Sequence, residues 1–203
     1  KLPDPNYGTD NEDLKLLIDI FNEKPTKELG YTNDINEPEL KLYQRMKEGD
    51  EVVLLKSIIN IPYNKDVLFK ALVDFKIRKK WDKSFSELRV VEDKGEESGT
   101  ILYMTIKSPA FFISDREFVQ QRKIWKNFPT NNSHLMHFKS VDTPLCPPND
   151  DFVRAKTIIS GYYIEDDPKK PDNCILYSVS QTDVGGYIPP SLISKVADSS
   201  VRK

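Results

Sequence analysis

The pattern of apolar and polar positions predicts helices in three parts of the chain. Apolar residues recur at helical spacing over residues 14–21, after a capping box that begins at Thr9. A second apolar stripe predicts a helix over residues 65–80, with Asn64 as its N-cap. A third helix is predicted to begin at Pro190, because proline suits the first turn of a helix.

Between these helices, extended apolar runs predict about eight β-strands. A turn at Gly49-Asp50 joins the first two strands in a hairpin. A sheet of this size curls, and its concave face needs a cover, for which the last helix is the obvious candidate. We therefore predict a single α+β domain over residues 1–203. The predicted strands cover residues 40–47, 51–61, 86–93, 100–107, 115–125, 133–141, 152–164 and 174–181.

The loop over residues 108–114 is unusually apolar for a segment between two strands. Loops normally lie at the surface and are polar, whereas this one reads Ser-Pro-Ala-Phe-Phe-Ile-Ser. It either folds back under another element, or it stays exposed and contacts a membrane or a partner, as exposed apolar patches do. The sequence leaves both alternatives open.

The strand after this loop carries an arginine on an apolar face. Side chains alternate along a strand, so Arg122 shares a face with Phe118 and Ile124. A guanidinium group inside a protein needs a carboxylate, a phosphate or water, because it does not lose its proton. An arginine that points into an apolar cavity is what an amphipathic ligand would require.

Composition and charge exclude several classes of protein. The net charge of −2 over 203 residues argues against a nucleic-acid binder, which usually has a basic excess. No apolar run reaches the roughly 20 residues that cross a bilayer as a helix. Two cysteines, Cys146 and Cys174, do not make a disulfide framework and indicate a reducing compartment.

The sequence also predicts no catalytic or metal chemistry. His134 and His137 lie three apart on a predicted strand, so they face opposite sides and do not form a zinc pair. We find no nucleophile elbow, phosphate-binding loop or dinucleotide-binding motif. We therefore predict a protein that is not an enzyme and that uses no cofactor.

Three motifs, in this order, resemble the START domain family (steroidogenic acute regulatory protein-related lipid transfer). They are Arg-x-x-Trp-Asp at 78–82, Ser-Asp-Arg-Glu-Phe-Val at 114–119 with Arg122, and Asp-Val-Gly-Gly-Tyr-Ile-Pro at 183–189. The resemblance covers most of the chain. It implies a helix-grip fold, in which a curved antiparallel sheet wraps around a C-terminal helix and encloses a hydrophobic tunnel for one lipid.

The resemblance also assigns the apolar loop and the last helix to the entrance of that tunnel. The mobile gate of the family, in contact with a membrane, corresponds here to Pro109, Phe111, Phe112 and Ile113. The apolar side of the lid helix corresponds to Leu192, Ile193 and Val196. The chain continues for only about 20 Å of helix after Pro190, at 1.5 Å per residue. Family lids are longer, so we expect the lid helix to be incomplete.

For the polar head of the lipid, the resemblance points to Arg78, Asp82 and Arg122. Arg78 would bind a phosphate, and Asp82 would accept from a head-group donor or orient Arg78. The alternative is an Arg78–Asp82 pair that only closes the helix end. In sterol-binding relatives the interior arginine pairs with an acid, whose position here falls on Thr105. This difference favours an anionic head over a sterol.

For the tunnel wall, the resemblance points to Tyr103, Met104 and Phe118. Choline-binding relatives surround the quaternary ammonium with aromatic rings. Here Met104 stands at a tryptophan position of that cage, and Phe118 is the one aromatic residue retained. We therefore expect a broader phospholipid range rather than strict selectivity for phosphatidylcholine.

The segment at residues 76–83 holds five cations and one acid. Its lysines either form an ordinary solvated helix end or are attracted to anionic lipid surfaces. We expect Trp81, within this segment, to lie in the core. The lysines are Lys76, Lys79, Lys80 and Lys83.

These expectations predict a monomeric, non-enzymatic protein that binds one phospholipid and transfers it between membranes. It would act in the cytoplasm and touch membranes transiently, with no nucleic-acid partner. The alternatives are a lipid-sensing regulatory module of a larger protein and a carrier of sterol or ceramide. A carboxylate beside Arg122 would support the sterol carrier.

Overall fold

The structure is a computed structural model that describes residues 12–108 and 113–186. Within those ranges lie three helices and ten strands. The helices are α1 (Glu12–Asn22), α2 (Lys65–Val73) and α3 (Phe75–Trp81). The strands are β1 (Tyr31–Asn36), β2 (Leu40–Arg45), β3 (Leu54–Ile61), β4 (Phe85–Asp93), β5 (Thr100–Ile106), β6 (Arg116–Lys126), β7 (Ser133–Ser140), β8 (Val153–Arg154), β9 (Lys156–Asp166) and β10 (Cys174–Asp183).

All ten strands belong to one sheet, in the order β1-β2-β3-β10-β9-β7-β6-β5-β4, with β8 paired to β6. The pairs along this path are antiparallel, and the β6–β8 pair is parallel. The predicted α+β class is therefore confirmed. The predicted lid helix lies outside the described residues.

Helix α1 packs on one face of the sheet, which we call the outer face. Its apolar stripe includes Leu14, Leu17 and Ile18, each at most 1% exposed, and it packs against Leu135 and Val179 of the sheet. Sheet residues that face α1 therefore form a closed core. No helix in the described ranges is long and apolar enough to cross a membrane.

The C-terminal end of α1 is held by a buried lysine. Lys56 of β3 is 1% exposed, and its ammonium group donates to the carbonyl oxygens of Ile20 (2.6 Å), Phe21 (3.1 Å) and Glu23 (2.7 Å). Positive charge at this end of a helix complements its dipole. Burial lowers the pKa of Lys56 to about 8.

Helices α2 and α3 pack on the opposite face, which we call the inner face. The sequence predicts one helix over residues 65–80, but the structure has two. Asn64 caps α2 as predicted, whereas Asp74 is extended and its carboxylate accepts from the N–H groups of Lys76 (2.8 Å) and Ile77 (3.2 Å). Asp74 therefore ends one helix and begins the next, which turns α3 to a new direction.

Two further differences concern the strands. Strand β1 was not predicted, because its sequence Tyr-Thr-Asn-Asp-Ile-Asn is polar and only Tyr31 is buried, as befits a strand at the edge of the sheet. The run predicted over residues 152–164 is two strands, because the chain changes partners at Ala155: β8 pairs with β6, whereas β9 pairs with β7 and β10. The sheet therefore has ten strands, where about eight were predicted.

Candidate functional site

A polar band crosses the middle of the inner face. Strand register aligns Arg122 of β6 with Phe138 of β7, Ser160 of β9 and Ser180 of β10. The next row places Gln120 beside Ser140 and Thr157 beside Thr182. Central strands normally bury apolar residues on a covered face. These two rows instead offer a guanidinium, an amide and five hydroxyl groups.

Hydrogen bonds join the second row into a network. The Gln120 amide donates to the Thr157 hydroxyl, and the hydroxyls of Thr157 and Thr182 lie 3.3 Å apart. The Ser180 and Thr182 hydroxyls are 3.2 Å apart, and the Thr157 N–H donates to the Ser140 hydroxyl at 2.8 Å. Ser180 and Thr182 remain half-exposed although they lie on a central strand. A ligand on this face would therefore meet hydrogen-bonding groups at the middle of the sheet.

Apolar clusters flank the polar band on both sides. Toward α2, Phe69 and Leu72 pack with the buried side chains of Ile124, Met136 and Phe138. Toward β4, a second cluster contains Leu88, Leu102, Met104, Phe118 and Ala155, with Phe75 and Phe85 against it. The inner face is thus apolar at both ends and polar in the middle, which is an amphipathic arrangement.

Arg122 lies on the inner face, as strand alternation predicts, and has few partners there. Its Nη1 donates to the Val73 carbonyl oxygen at 3.3 Å, and its guanidinium lies 5.1 Å from the centre of the Phe75 ring. Its buried Nε has no hydrogen-bond partner among the described residues, and no described carboxylate lies within ion-pair distance of it. Thr105 stands at the position where sterol-binding relatives have the acidic partner of the arginine. Its side chain is uncharged and lies on the outer face, away from Arg122.

Burial and neighbouring charges of both signs act on the Arg122 guanidinium. Burial lowers the pKa of Arg122 from its ordinary value. The Asp93 carboxylate acts in the opposite direction, the Arg78 guanidinium adds a smaller lowering, and the Glu96 carboxylate raises the pKa again. Two guanidinium groups therefore sense each other in a partly dehydrated region, where an anion would stabilise both.

Arg78 and Asp82 form a pair at the C-terminal end of α3. Arg78 Nε lies 3.4 Å from the Asp82 carboxylate, and the side chains are 14% and 9% exposed. The Arg78 guanidinium also lies 4.9 Å from the centre of the Phe85 ring. Asp82 in turn accepts from the Ser84 N–H at 3.2 Å. The pair that closes the helix end is therefore present, and a ligand role for it stays a prediction.

Two predicted positions are wrong. Tyr103 does not share a face with Met104, since it packs with Val119 and Cys146 on the outer face. Consecutive strand residues face opposite sides, so both could not line one tunnel. Trp81 is not in the core but 38% exposed, because the break at Asp74 redirects α3.

Of the residues predicted for the gate and the lid helix, only Ile113 lies within the described ranges. Ile113 is buried, with 9% of its surface exposed, so it faces the protein and not the solvent expected of a membrane-contact residue. The other gate and lid positions lie outside the described residues. They are Pro109, Phe111, Phe112, Leu192, Ile193 and Val196.

Sequence reasoning missed the role of Arg116. This residue is 7% exposed, and its guanidinium donates to the carbonyl oxygens of Ser114, Val184 (3.0 Å) and Gly185 (2.8 Å). Two of the three sequence motifs therefore meet in space. Their separation of almost 70 residues hides this contact from any local pattern.

A separate polar pocket lies on the outer face. Its volume is about 300 Å³, and the buried Glu117 at its base accepts from Arg154 (2.9 Å), Tyr103 (3.1 Å) and the Asn149 N–H (3.0 Å). Carboxylates and guanidinium groups are poor surroundings for acyl chains, so this pocket is not the predicted tunnel. Its wall consists of Glu87, Arg89, Tyr103, Glu117, Leu145, Cys146, Pro147 and Asn149.

The two histidines of β7 lie on opposite faces of the sheet, as their spacing predicts. His134 Nε2 lies 2.7 Å from Asp66 of α2, while the Asp13 carboxylate of α1 acts to raise the pKa of His137. The described part of the chain holds no group of three or more side chains suited to a metal ion. Cys146 and Cys174 are both buried free thiols.

Comparison with known sequences identifies related proteins. A family model described as START domain matches residues 31–203. StAR-related lipid transfer protein 5 of Mus musculus is 30% identical over 121 residues, which cover 58% of this chain and 54% of that protein. START domain-containing protein 10 of Mus musculus is 29% identical over 136 residues, 64% of this chain and 42% of that protein. The chain spans about half the length of the curated relatives it matches.

Comparison with solved structures gives the same fold. Human StAR-related lipid transfer protein 5 superposes with a TM-score of 0.81 at 18% identity, covering 94% of this chain and 88% of that chain. Human STARD10 superposes with a TM-score of 0.78 at 20% identity, covering 96% and 78%. At these identities the likeness concerns the fold alone, and it confirms the predicted fold type.

Proposed function

This chain belongs to the START domain family, and we propose that it binds a single phospholipid and carries it between membranes without making or breaking a covalent bond. The lipid would be its only ligand, with no cofactor. The carrier would be monomeric and would work from the cytoplasm, touching membrane surfaces transiently.

The observation that carries the proposal is the state of Arg122. This guanidinium is on the inner face, its Nε has no described partner, no described carboxylate lies within ion-pair distance of it, and burial lowers its pKa. A buried cation without a carboxylate is costly. A lipid phosphate would supply the missing charge and match the planar donor geometry of arginine. A sterol hydroxyl would bring no negative charge to Arg122.

The polar band supports a phospholipid head with hydrogen-bonding groups of its own. By the resemblance, Thr157 to Ser160 and Val179-Ser180 lie near the remaining positions of the aromatic cage of choline-binding relatives, and here they include hydroxyl groups but no aromatic ring. A quaternary ammonium makes no hydrogen bonds and gains from aromatic faces instead. Heads that carry an amine or hydroxyls therefore suit this face better than choline.

The apolar clusters on either side of the band supply surroundings for acyl chains. Each CH₂ that leaves a membrane for water costs about 0.8 kcal/mol. A protein that surrounds the chains removes most of this cost. We propose that the 109–112 loop touches the bilayer, the loop and the last helix part, and one lipid enters with its phosphate toward Arg78 and Arg122.

Mass spectrometry of lipid that co-purifies with the protein tests the proposal directly. We expect glycerophospholipids at up to one molecule per chain, with amine- or hydroxyl-bearing heads enriched over choline. A sterol or ceramide as the dominant lipid would overturn the phospholipid assignment. Absence of any bound lipid, together with no uptake from vesicles, would overturn the carrier function.

Substitution of Arg122 by alanine tests the phosphate contact. We expect at least a tenfold loss of phospholipid binding, since a hydrogen bond to a charged group contributes about 1.5–3 kcal/mol. Arg89→Ala is the matched control, because Arg89 is an exposed arginine that lies over the Tyr103 ring on the outer face. Equal binding by both variants, with unchanged circular dichroism, would refute the role of Arg122.

A further inference from the structure

Helices α2 and α3 concentrate positive charge in a chain that is slightly acidic as a whole. Residues 65–83 contain seven cations and three acids, a formal charge of +4 against −2 for the entire chain. The three acids already have partners. Asp66 binds a histidine of β7, Asp74 caps α3, and Asp82 pairs with Arg78.

Four lysines on this helix pair and one just after α3 are exposed, and none forms an ion pair with a described carboxylate. Like charges held this close repel one another, so an anionic surface placed against them gains attraction from all of them together. The sequence left two alternatives open, a solvated face and an anionic lipid surface. The lysines are Lys70, Lys76, Lys79, Lys80 and Lys83.

Exposed apolar side chains lie beside these lysines. Trp81 is 38% exposed, and its indole N–H donates to the carbonyl oxygen of Ala71 at 3.3 Å, which fixes the ring against α2. Val67, one helical turn before Ala71, is 50% exposed, and Tyr63 just before the helix is 61% exposed. An exposed tryptophan flanked by lysines combines the two features that place a surface at a membrane interface.

We propose that this surface of α2 and α3 docks the protein on anionic lipid bilayers. Lysines alone would equally suit an acidic protein segment. The aromatic and aliphatic side chains favour a bilayer, because tryptophan and tyrosine rings insert at the level of the head groups while lysines remain at the phosphates.

Docking by this surface places the candidate head-group site next to the membrane. Helix α3 has only seven residues, and its inner side carries Arg78 against Asp82 and Phe85 while its lysines face outward. The two functions therefore occupy opposite sides of one short helix. The inference goes beyond the carrier proposal, since docking does not depend on which lipid is carried.

Vesicle co-sedimentation tests the docking surface. We expect the full chain to bind phosphatidylcholine vesicles that contain about one-third phosphatidylserine, to bind pure phosphatidylcholine weakly, and to lose binding as salt rises. The double variant Lys79→Glu/Lys80→Glu should bind anionic vesicles at least about tenfold more weakly. The matched control is Lys169→Glu/Lys170→Glu, an exposed lysine pair in the β9–β10 loop.

Tryptophan fluorescence tests the insertion of Trp81 separately. The chain has two tryptophans, so the variant Trp125→Phe leaves Trp81 as the sole reporter. Its emission should shift to shorter wavelength with anionic vesicles and stay unchanged with neutral ones. Leu145→Ser, which removes an exposed apolar side chain elsewhere, should leave vesicle binding unchanged.

Three results would overturn the docking surface. They are equal binding to neutral and anionic vesicles, equal loss of binding in the two lysine double variants, and no change in Trp81 emission on binding. None of these results bears on lipid uptake, which is measured by mass spectrometry of the bound lipid. Failure of the docking inference is therefore distinguishable from failure of the carrier proposal.

Discussion

Two histidines of β7, three residues apart, meet opposite conditions. The His134 ring lies tilted against the Phe69 ring with ring centres 4.5 Å apart. Its Nδ1 accepts from the Asn127 N–H, so its Nε2 donates to the Asp66 carboxylate at 2.7 Å. His137 is 3% exposed, and its Nε2 has no hydrogen-bond partner in the described ranges. One ring therefore anchors α2 to the sheet, while the other fills space beneath α1.

The burial of His137 predicts a loss of stability in mild acid. Burial lowers the pKa of His137 to about 4. The Asp13 carboxylate raises this pKa, whereas Lys123 and Lys139 lower it further. In the unfolded chain this histidine is protonated below about pH 6.5, whereas in the folded chain it stays neutral down to about pH 4. Stability from this residue is thus complete above pH 6.5 and falls by up to about 3 kcal/mol on acidification to pH 4.

Denaturant unfolding of the wild type and His137→Leu across pH 4–7.5 measures this effect. Carboxylates titrate in both proteins, so the difference between the two curves isolates His137. We expect the wild type to lose more unfolding free energy than the variant as the pH falls. Parallel curves would show that His137 takes up its proton at the same pH in both states.

For single residues, the sequence predicts which face of the sheet a side chain occupies better than it predicts which residues that side chain contacts. Alternation along β6 places Phe118, Arg122 and Ile124 on one side, which the structure confirms. The same rule, if applied to Tyr103 and Met104, would have separated them. The contact of Arg116 with Val184 and Gly185 was out of reach, because it depends on register across several strands.

Among the elements, the break between α2 and α3 decides where the candidate head-group residues lie. The apolar stripe from Val67 to Phe75 runs through the break, so helical periodicity alone predicts one helix. The Asp74 carboxylate accepts from the N–H groups of the second and third residues after it, as a side chain at a helix start does. This local hydrogen bonding competes with continuation of the helix through Asp74. The consequence is that α3 directs Arg78 inward and exposes Trp81.

Asp74→Ala should therefore weaken both stability and phospholipid binding. We expect a loss of about 1 kcal/mol in unfolding free energy, because an N-cap is removed, and a further weakening of binding through misplaced Arg78. Asn64→Ala removes the corresponding cap of α2, where the Asn64 side chain accepts from Val67. Its stability cost should be similar, with binding retained. If both variants lose binding equally, α3 has no special role in positioning the site.

Arg116 joins the start of β6 to the segment after β10. Its replacement by methionine leaves three carbonyl oxygens without their donor, so we expect a loss of about 3 kcal/mol in unfolding free energy. Arg116→Lys should retain only part of this free energy, since an ammonium group lacks the planar array of donors of a guanidinium group. Hydrogen exchange of residues 183–186 should quicken in both variants. Unchanged exchange would show that these contacts do not hold the segment.

In the whole molecule, the two faces of the sheet have different tasks. On the outer face, α1 covers a buried apolar core, whereas the inner face alternates apolar clusters with a polar band. Motifs and element order predicted this fold type from the sequence. The polar band was not predicted as a unit, because its members come from four strands that only the sheet order brings together.

The carrier proposal separates how tightly the protein holds lipid from how fast it exchanges lipid. Two acyl chains of about 16 carbons, at about 0.8 kcal/mol for each CH₂, make unaided passage through water extremely slow. A surface that enters the bilayer lets the chains move from one apolar medium to another. We therefore expect Phe111→Ser/Phe112→Ser to slow transfer between vesicles at least tenfold while equilibrium lipid binding changes little.

Transfer is followed with a fluorescent phospholipid moving from donor to acceptor vesicles, and binding with the same lipid at equilibrium. Leu145→Ser is the control, because it removes an apolar side chain that is 60% exposed on another loop. Slower transfer with intact binding would indicate that the rate-limiting step is at the membrane and would support the proposed contact of Phe111 and Phe112 with the bilayer. Equal transfer by wild type and double variant would reject the gate, and a parallel loss of binding would make these phenylalanines part of the lipid-binding wall instead.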